Sequence, residues 1–264
     1  MPELPEVETI RGALEPLLVG RRIERAEIAD ERLTRPEPPE AVAQALAGER
    51  VEALERRGKY LLFRLGSGRV LLVHLRMTGS FRSADDLHRR AVLELDDGTS
   101  VTYRDVRRFG TWLLLDAEDV EPYLAARLGE EPLERRFTLD RLAGRRAPVK
   151  AAILDQRTVA GLGNIYADEA LWRARVHPLR PAGSLDDDEL RRLRRGIRDA
   201  LRAGIARQGS TLSDYAAPDG SPGRMQREFR VYGRAGEPCD RCGTPIAKTR
   251  VGGRGTWFCP GCQR

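Results

Sequence analysis

The sequence predicts an α+β protein: an N-terminal β-sandwich domain with a packed helix, then a helical domain, then a small four-cysteine ribbon. Three observations carry this reading. Short β-type apolar runs occupy residues 21–116 and are divided by turn signals such as GSG and DDG. Helical periodicity takes over between about 150 and 209. All four cysteines lie in the last 30 residues, as two Cys-x2-Cys pairs. A chain of 264 residues is long enough for two domains of moderate size with real cores.

The elements follow in order. Residues 5–19, PEVETIRGALEPLLV, place Val7, Ile10, Leu14, Leu17 and Leu18 at helical spacing, with Pro5 suited to the helix start and Gly20 as a stop. The runs RRIERAEI, RVEALERR, KYLLFRL, RVLLVHL, AVLELDDGTSVTY and GTWLLLD are the strands. Residues 120–150 are charge-rich, with Pro122, Pro132 and Pro148, and read as a connector. AAILDQ, a glycine-broken turn AGLGN and IYADEALWRA follow as two helices. A longer helix is expected after Ser184 as N-cap, with acids at 186–189 and a stripe of Leu190, Leu193, Ile197, Leu201 and Ile205, closed by Gly209. APDGSPGR is a Gly/Pro loop. The expected boundaries are 1–125, a connector at 126–149, a helical domain at 150–228 and the ribbon at 229–264.

No apolar run is long enough to span a bilayer, so no membrane partner is expected. The N-terminus carries Glu3, Glu6 and Glu8 without a cationic lead, which predicts a cytoplasmic protein. Net charge is +6, but its distribution says more: residues 1–144 sum to −4 and residues 145–264 to +10. The basic half points to a polyanion such as nucleic acid. Of 46 basic residues only Lys59, Lys150 and Lys248 are lysines. A lysine amine can give up its proton, which arginine does not, so each surviving lysine is a candidate for chemistry.

Cys239, Cys242, Cys259 and Cys262 have the spacing of a four-thiolate zinc site, one structural Zn2+ with a full shell. Between the pairs, GGRG holds Arg254 on a tip, either solvated or presented to a phosphate. The first residues, MPELPEVETI, raise a further question. Pro2 is either one stiff residue before the helix or, once Met1 is removed, a terminal secondary amine able to form an iminium ion.

Seven separated blocks settle that choice: PELPEVET at 2–9, RRGKYLL at 56–62, HLRMTGS at 74–80, RRFG at 107–110, GLGNIYADEAL at 161–171, VYGRAGEPC at 231–239 and the ribbon. Together they resemble the formamidopyrimidine-DNA glycosylase family, bacterial enzymes that excise oxidised purines. The resemblance implies a bifunctional DNA glycosylase/AP lyase with a β-sandwich, a helix–two-turns–helix domain and a zinc ribbon, with DNA in the cleft between domains. It implies Pro2 as nucleophile, Glu3 as the acid, Glu6 as either a supporting acid or a plain helix-start acid, Lys59 as proton donor in β-elimination and Arg254 as the arginine assisting δ-elimination. His88, Arg107, Lys150 and Asn164 match DNA contacts, and Met77, Arg107 and Phe109 match the residues that fill the stack after a nucleotide is flipped out. The implied partner is damaged double-stranded DNA, with 8-oxoguanine or formamidopyrimidine opposite cytosine, bound by a monomer at the bacterial nucleoid.

Three positions depart from the family pattern. Arg76 stands where glycine is usual, Val106 replaces a proline before RRFG, and Ser221 occupies the place of a lysine in some members. The rival readings are an endonuclease VIII-type enzyme for oxidised pyrimidines, a non-catalytic zinc-ribbon protein that binds damaged DNA, and an RNA-binding ribbon protein. Leu4 argues against the first, where glycine is usual, and Pro2, Glu3 and Lys59 together argue against the second.

Overall fold

A computed structural model describes residues 2–82, 87–212 and 215–264. The chain divides into two compact units: residues 1–124 with 207–224, and residues 125–206 with 225–264.

The first unit starts with α1 (Leu4–Leu18). Val7, Ile10, Leu14 and Leu18 recur every three or four residues, and each is at most 1% exposed. Burial of each such side chain is worth about 1.5–3 kcal/mol. Pro5 lies in the first turn, where a missing N–H costs no hydrogen bond.

Eight strands follow: β1 (Ile23–Ile28), β2 (Val51–Arg57), β3 (Tyr60–Leu65), β4 (Val70–His74), β5 (Ser80–Arg82), β6 (Arg89–Leu95), β7 (Ser100–Arg104) and β8 (Thr111–Leu115). They form two antiparallel four-stranded sheets, ordered β1-β6-β7-β5 and β2-β3-β4-β8. Side chains from both sheets and from α1 share one core, including Phe63, Phe81, Tyr103 and Trp112. This is the expected sandwich with its packed helix.

Two helices appear against expectation, one within the strand region and one after it. Residues Pro39–Leu46 form α2, where Pro39 opens the helix and Val42 and Leu46 bury one face. Ala117–Ala125 forms α3 after the last strand.

In the second unit, α4 (Val149–Leu154) and α5 (Asn164–Ala174) flank the glycine turn, and α6 (Asp187–Ala206) packs on α5. Gly196 allows that packing, since a Cβ there would lie 2.6 Å from the Ala170 carbonyl oxygen. The N-cap of α6 is Asp186, not Ser184: Asp186 Oδ1 accepts from Glu189 N at 2.8 Å and Glu189 Oε2 accepts from Asp186 N at 3.0 Å. Such a reciprocal pair satisfies two orphan donors, whereas the Ser184 hydroxyl bonds the Pro181 carbonyl. The ribbon contributes the hairpin β9 (Ala247–Val251) and β10 (Arg254–Phe258).

The units divide the chain differently from the expected boundaries. Within residues 126–149, Phe137, Leu139 and Leu142 are buried, and Arg198 donates to the Pro132 and Glu134 carbonyls. Residues 207–224, placed by pattern with the helices, belong to the first unit. Among the described residues, no helix is long and apolar enough to cross a membrane.

Candidate active site and metal centre

In the first unit the site is built on the start of α1. Pro2 is buried, and Glu3 is 3% exposed in an extended conformation as the helix N-cap. The Glu3 N–H donates to Glu6 Oε2 at 2.9 Å, so Glu6 holds the residue next to Pro2. The other oxygen of Glu6 accepts from Ser210 N at 2.8 Å and from its hydroxyl at 3.3 Å. Gly209 has φ of 78°, and a Cβ there would lie 2.7 Å from Glu6 Cγ, so this approach requires glycine. One carboxylate thus joins the N-terminal segment to the 207–224 segment. That segment is braced further: Tyr215 OH donates to the Gln208 carbonyl, and Arg82 donates to the Ala216 and Ala217 carbonyls. Ser221 N is held by Asp219 Oδ1 at 2.9 Å.

Lys59, 6% exposed, sits with Gly58 in the two-residue turn between β2 and β3. Gly58 has φ of 57°, in the left-handed region favoured in such tight turns. Tyr60 pairs with His74 across β3 and β4, and their rings meet edge-on at 4.6 Å. Burial, then the positive charges of Arg76 and Lys59, push the His74 imidazole down to about 3, so it is neutral at pH 7. His74 Nδ1 accepts from Arg76 N at 3.0 Å. Arg76 has φ of 53°, which explains why glycine suits this position better and marks the Arg76 departure as a strained one.

A buried carboxylate assembles the next loops. Asp105, 1% exposed, accepts from the Thr78 hydroxyl, from Arg107 N at 3.2 Å and from Gly110 N at 2.7 Å. Residues 77–78 and 107–110 are thereby clamped together. Met77 is half-buried, while Arg107 and Phe109 are exposed, with the guanidinium 4.8 Å from the ring centroid. Val106, one of the departures, is exposed beside them. Arg108 (φ 57°) forms a bidentate pair with Asp30 at 2.6 and 2.8 Å, which holds the Asp30 carboxyl below its ordinary range. His88 is half-buried, and its carbonyl accepts from Asp105 N at 3.0 Å.

The second unit holds the remaining candidates. Asn164 opens α5, and its Nδ2 donates to the Gly255 carbonyl at 3.0 Å. Arg254 is exposed at the first position of β10, beside the Gly252–Gly253 turn rather than at its tip. Lys248 lies across the hairpin, stacked on Trp257 at 5.1 Å.

Lys150 is not where a surface DNA contact would be. Its side chain is fully buried, with Nζ at 2.8 Å from Asp168 Oδ1, 2.9 Å from the Gly255 carbonyl and 2.8 Å from Thr256 Oγ1. A buried ammonium needs a counter-charge, and Asp168 supplies it while accepting from Trp257 N at 3.0 Å. Burial pushes the Asp168 carboxyl up from its ordinary range, and the Lys150 ammonium pulls it back down. Lys150, Asn164 and Asp168 therefore all grip the strand that begins with Arg254. Next along α5, Glu169 is fully buried and accepts from the N–H groups of Arg230, Val231 and Tyr232. Sequence reasoning missed Asp105, Asp30, His74, Asp168 and Glu169 as organisers. The available signal was that His74 opens HLRMTGS and that the last two sit inside GLGNIYADEAL.

The four cysteine sulfurs lie within 4.8 Å of one another, with Cys239–Cys262 at 3.9 Å and Cys242–Cys259 at 3.5 Å. Tetrahedral zinc with Zn–S near 2.3 Å requires sulfurs about 3.8 Å apart. The donor set fits one structural zinc, with no ligand position left over for catalysis.

Family-level sequence models match three stretches: the formamidopyrimidine-DNA glycosylase N-terminal domain at residues 1–112, the H2TH domain of the same enzymes at 128–216, and the zinc finger found in Fpg and IleRS at 236–264. The formamidopyrimidine-DNA glycosylase of Roseiflexus sp. (strain RS-1) is 48% identical over 274 residues, covering all of both chains. That of Symbiobacterium thermophilum is 50% identical over all of this chain and 89% of its own.

The chain belongs to the formamidopyrimidine-DNA glycosylase family.

Solved members of the family share the fold. The MutM (Fpg) protein of Thermus thermophilus superposes with a TM-score of 0.90 at 45% identity, over 99% of this chain and 98% of its own. Lactococcus lactis Fpg, solved in complex with abasic-site DNA, gives 0.91 at 39% identity over 99% of each chain. Within such a glycosylase the two acids at the start of α1 and the lysine of the β2–β3 turn lie in one unit, and the ribbon hairpin lies in the other.

Proposed function

We propose that this chain is a bifunctional DNA glycosylase/AP lyase that removes 8-oxoguanine and formamidopyrimidines from duplex DNA. The observation that carries this reading is the start of α1: Pro2 and Glu3 are buried, and the Glu3 backbone is clamped by Glu6. A terminal proline nitrogen held this way is pre-positioned, and its freedom is lost before substrate arrives.

The damaged nucleotide must first leave the stack. The Pro2 nitrogen, free once Met1 is removed, attacks C1′; the C1′–base bond breaks, and the base departs with that electron pair and the proton shed by the proline nitrogen. The C1′–O4′ bond then opens as Glu3 protonates O4′, leaving a C1′ iminium ion. The iminium acidifies the C2′ protons, so loss of one expels the 3′ phosphate by cleavage of C3′–O3′. A second elimination cleaves C5′–O5′. Lys59 is the proton donor of the first elimination, and Arg254 steadies the flanking phosphate in the second. A neutral His74 beside Lys59 adds no positive charge that would compete for the same phosphates.

Met77, Arg107 and Phe109 fill the vacated stack, a role supported by the exposed Arg107–Phe109 pair and the Asp105 clamp. Asn164, His88 and Arg254 meet phosphates, while Lys150 acts from inside by holding the Arg254 strand. Residues 1–124 with 207–224 are then the catalytic unit, 125–206 with 225–264 the DNA-gripping unit, and the protein acts as a monomer on nucleoid DNA. Zinc supplies folding energy to the ribbon and takes no part in the reaction.

Borohydride trapping tests the reading. On an 8-oxoguanine:cytosine duplex the mature protein should become covalently linked to DNA. A protein with a peptide fused before Pro2 should bind but not trap, and normal trapping by that fusion would rule the mechanism out. Preferential cleavage of thymine glycol duplexes would instead indicate the endonuclease VIII-type specificity.

A further inference from the structure

Trp172, near the end of α5, touches the metal centre through a contact the glycosylase chemistry does not use. Its indole Nε1–H donates to Cys239 Sγ at 3.4 Å. Cys239 is 3% exposed, so this sulfur has little access to water and the indole supplies its solvation. Arg241 lies over the same indole, with its guanidinium carbon 4.0 Å from the ring centroid, and Nη1 donates to the Trp172 carbonyl at 3.1 Å. The arrangement runs cation, aromatic face, N–H and sulfur in sequence.

We propose that Trp172 is a positioning residue for the zinc centre, donating a hydrogen bond to the Cys239 thiolate and so raising zinc affinity and fixing the ribbon to α5. A zinc ion with four thiolates carries two net negative charges, and those charges sit on sulfur. An N–H directed at one sulfur stabilises the charged form, and a cation stacked on the ring polarises the N–H toward it. Partners of this kind beyond the ligands themselves commonly change metal affinity 10–100-fold.

A second observation agrees. A cavity of about 490 Å³ beside Cys242 and Cys262 is lined by Arg175, Arg192, Arg241 and Arg264. Its one acid, Glu189, is already paired with Arg180. Four arginines lining the cavity beside two of the cysteines make the surroundings of the tetrathiolate dianion positive, and the Trp172 indole is in direct contact with sulfur. The consequence is mechanical as well. Asn164 opens the helix that Trp172 nearly closes, so the metal and the Gly255-gripping residue share one rigid element.

The test uses the full-length chain. Zinc is titrated out with a chromophoric chelator, comparing the wild-type protein with Trp172→Phe, which keeps a ring and removes the donor. Affinity should fall on the order of tenfold, and Arg241→Gln, which leaves the donor in place, should lose less. With Co2+ in the site, the thiolate-to-metal charge-transfer band should move to longer wavelength in Trp172→Phe, because a sulfur without its hydrogen bond is the better electron donor. A ring that only packs would leave that band in place. Unchanged zinc affinity together with an unchanged cobalt spectrum would overturn the proposal. If Trp172→Phe does not fold, the wild-type chain loaded with 113Cd decides: one of its three indole protons should show scalar coupling to the metal, and coupling to none overturns it.

Discussion

Glu6 carries two of the contacts that define the N-terminal site, and each of its oxygens faces a donor. Glu6→Gln turns one oxygen into an NH2 group, so a donor must face a donor whichever way the amide lies. The expected cost is about 1–3 kcal/mol in urea unfolding, with a slower single-turnover rate of borohydride trapping. Unaltered stability and trapping would show that Glu6 does not hold the segment. His74 gives a pH dependence of definite sign. Its folded pKa, about 3, lies below the ordinary 6.5, so the unfolded chain binds the extra proton between those values. The stability it contributes is present above pH 6.5 and is lost as pH falls toward 3. Urea unfolding at pH 5 and pH 7 should differ by on the order of 1 kcal/mol more in the wild type than in His74→Gln.

At the scale of elements, the Lys150–Asp168 pair joins α4 and α5 to the ribbon hairpin. Asp168→Asn would leave a buried ammonium without its counter-charge, at a cost of about 3–5 kcal/mol. The paired replacement Lys150→Met with Asp168→Leu should recover much of that stability. It should still bind lesion DNA more weakly, because Gly255 keeps only the Asn164 contact and the Trp257 N–H loses its acceptor. A double variant as unstable as Asp168→Asn would sink this account, and the measurement is thermal unfolding of zinc-loaded protein. The pair was half legible in the sequence. Lys150 stands out as one of three lysines, but nothing in its spacing tells a buried ammonium from a surface one. The same limit hid α2, whose eight residues sit among strand-like runs and show only Val42 and Leu46 as a buried face.

Across the whole molecule, the charge of +10 in residues 145–264 against −4 in residues 1–144 predicts that most phosphate contacts come from the C-terminal half of the chain. Affinity for an 8-oxoguanine duplex should therefore fall steeply between about 50 and 200 mM salt through counterion release, and Arg254→Ala should lower the slope of log K against log salt by about 1. An unchanged slope in that variant would remove Arg254 from the phosphate contacts. Sequence alone determined the sandwich, the helices around the glycine turn, the zinc ribbon and the family. Those rest on local periodicity, turn residues and ligand spacing, which the chain carries within short windows. Tertiary structure alone decided that Glu6 reaches Ser210, that Asp105 clamps two loops, that Lys150 is interior and that Trp172 faces a cysteine sulfur. Each of these joins residues distant along the chain through one buried polar contact, and a buried polar group finds its partner only when the packing around it has closed.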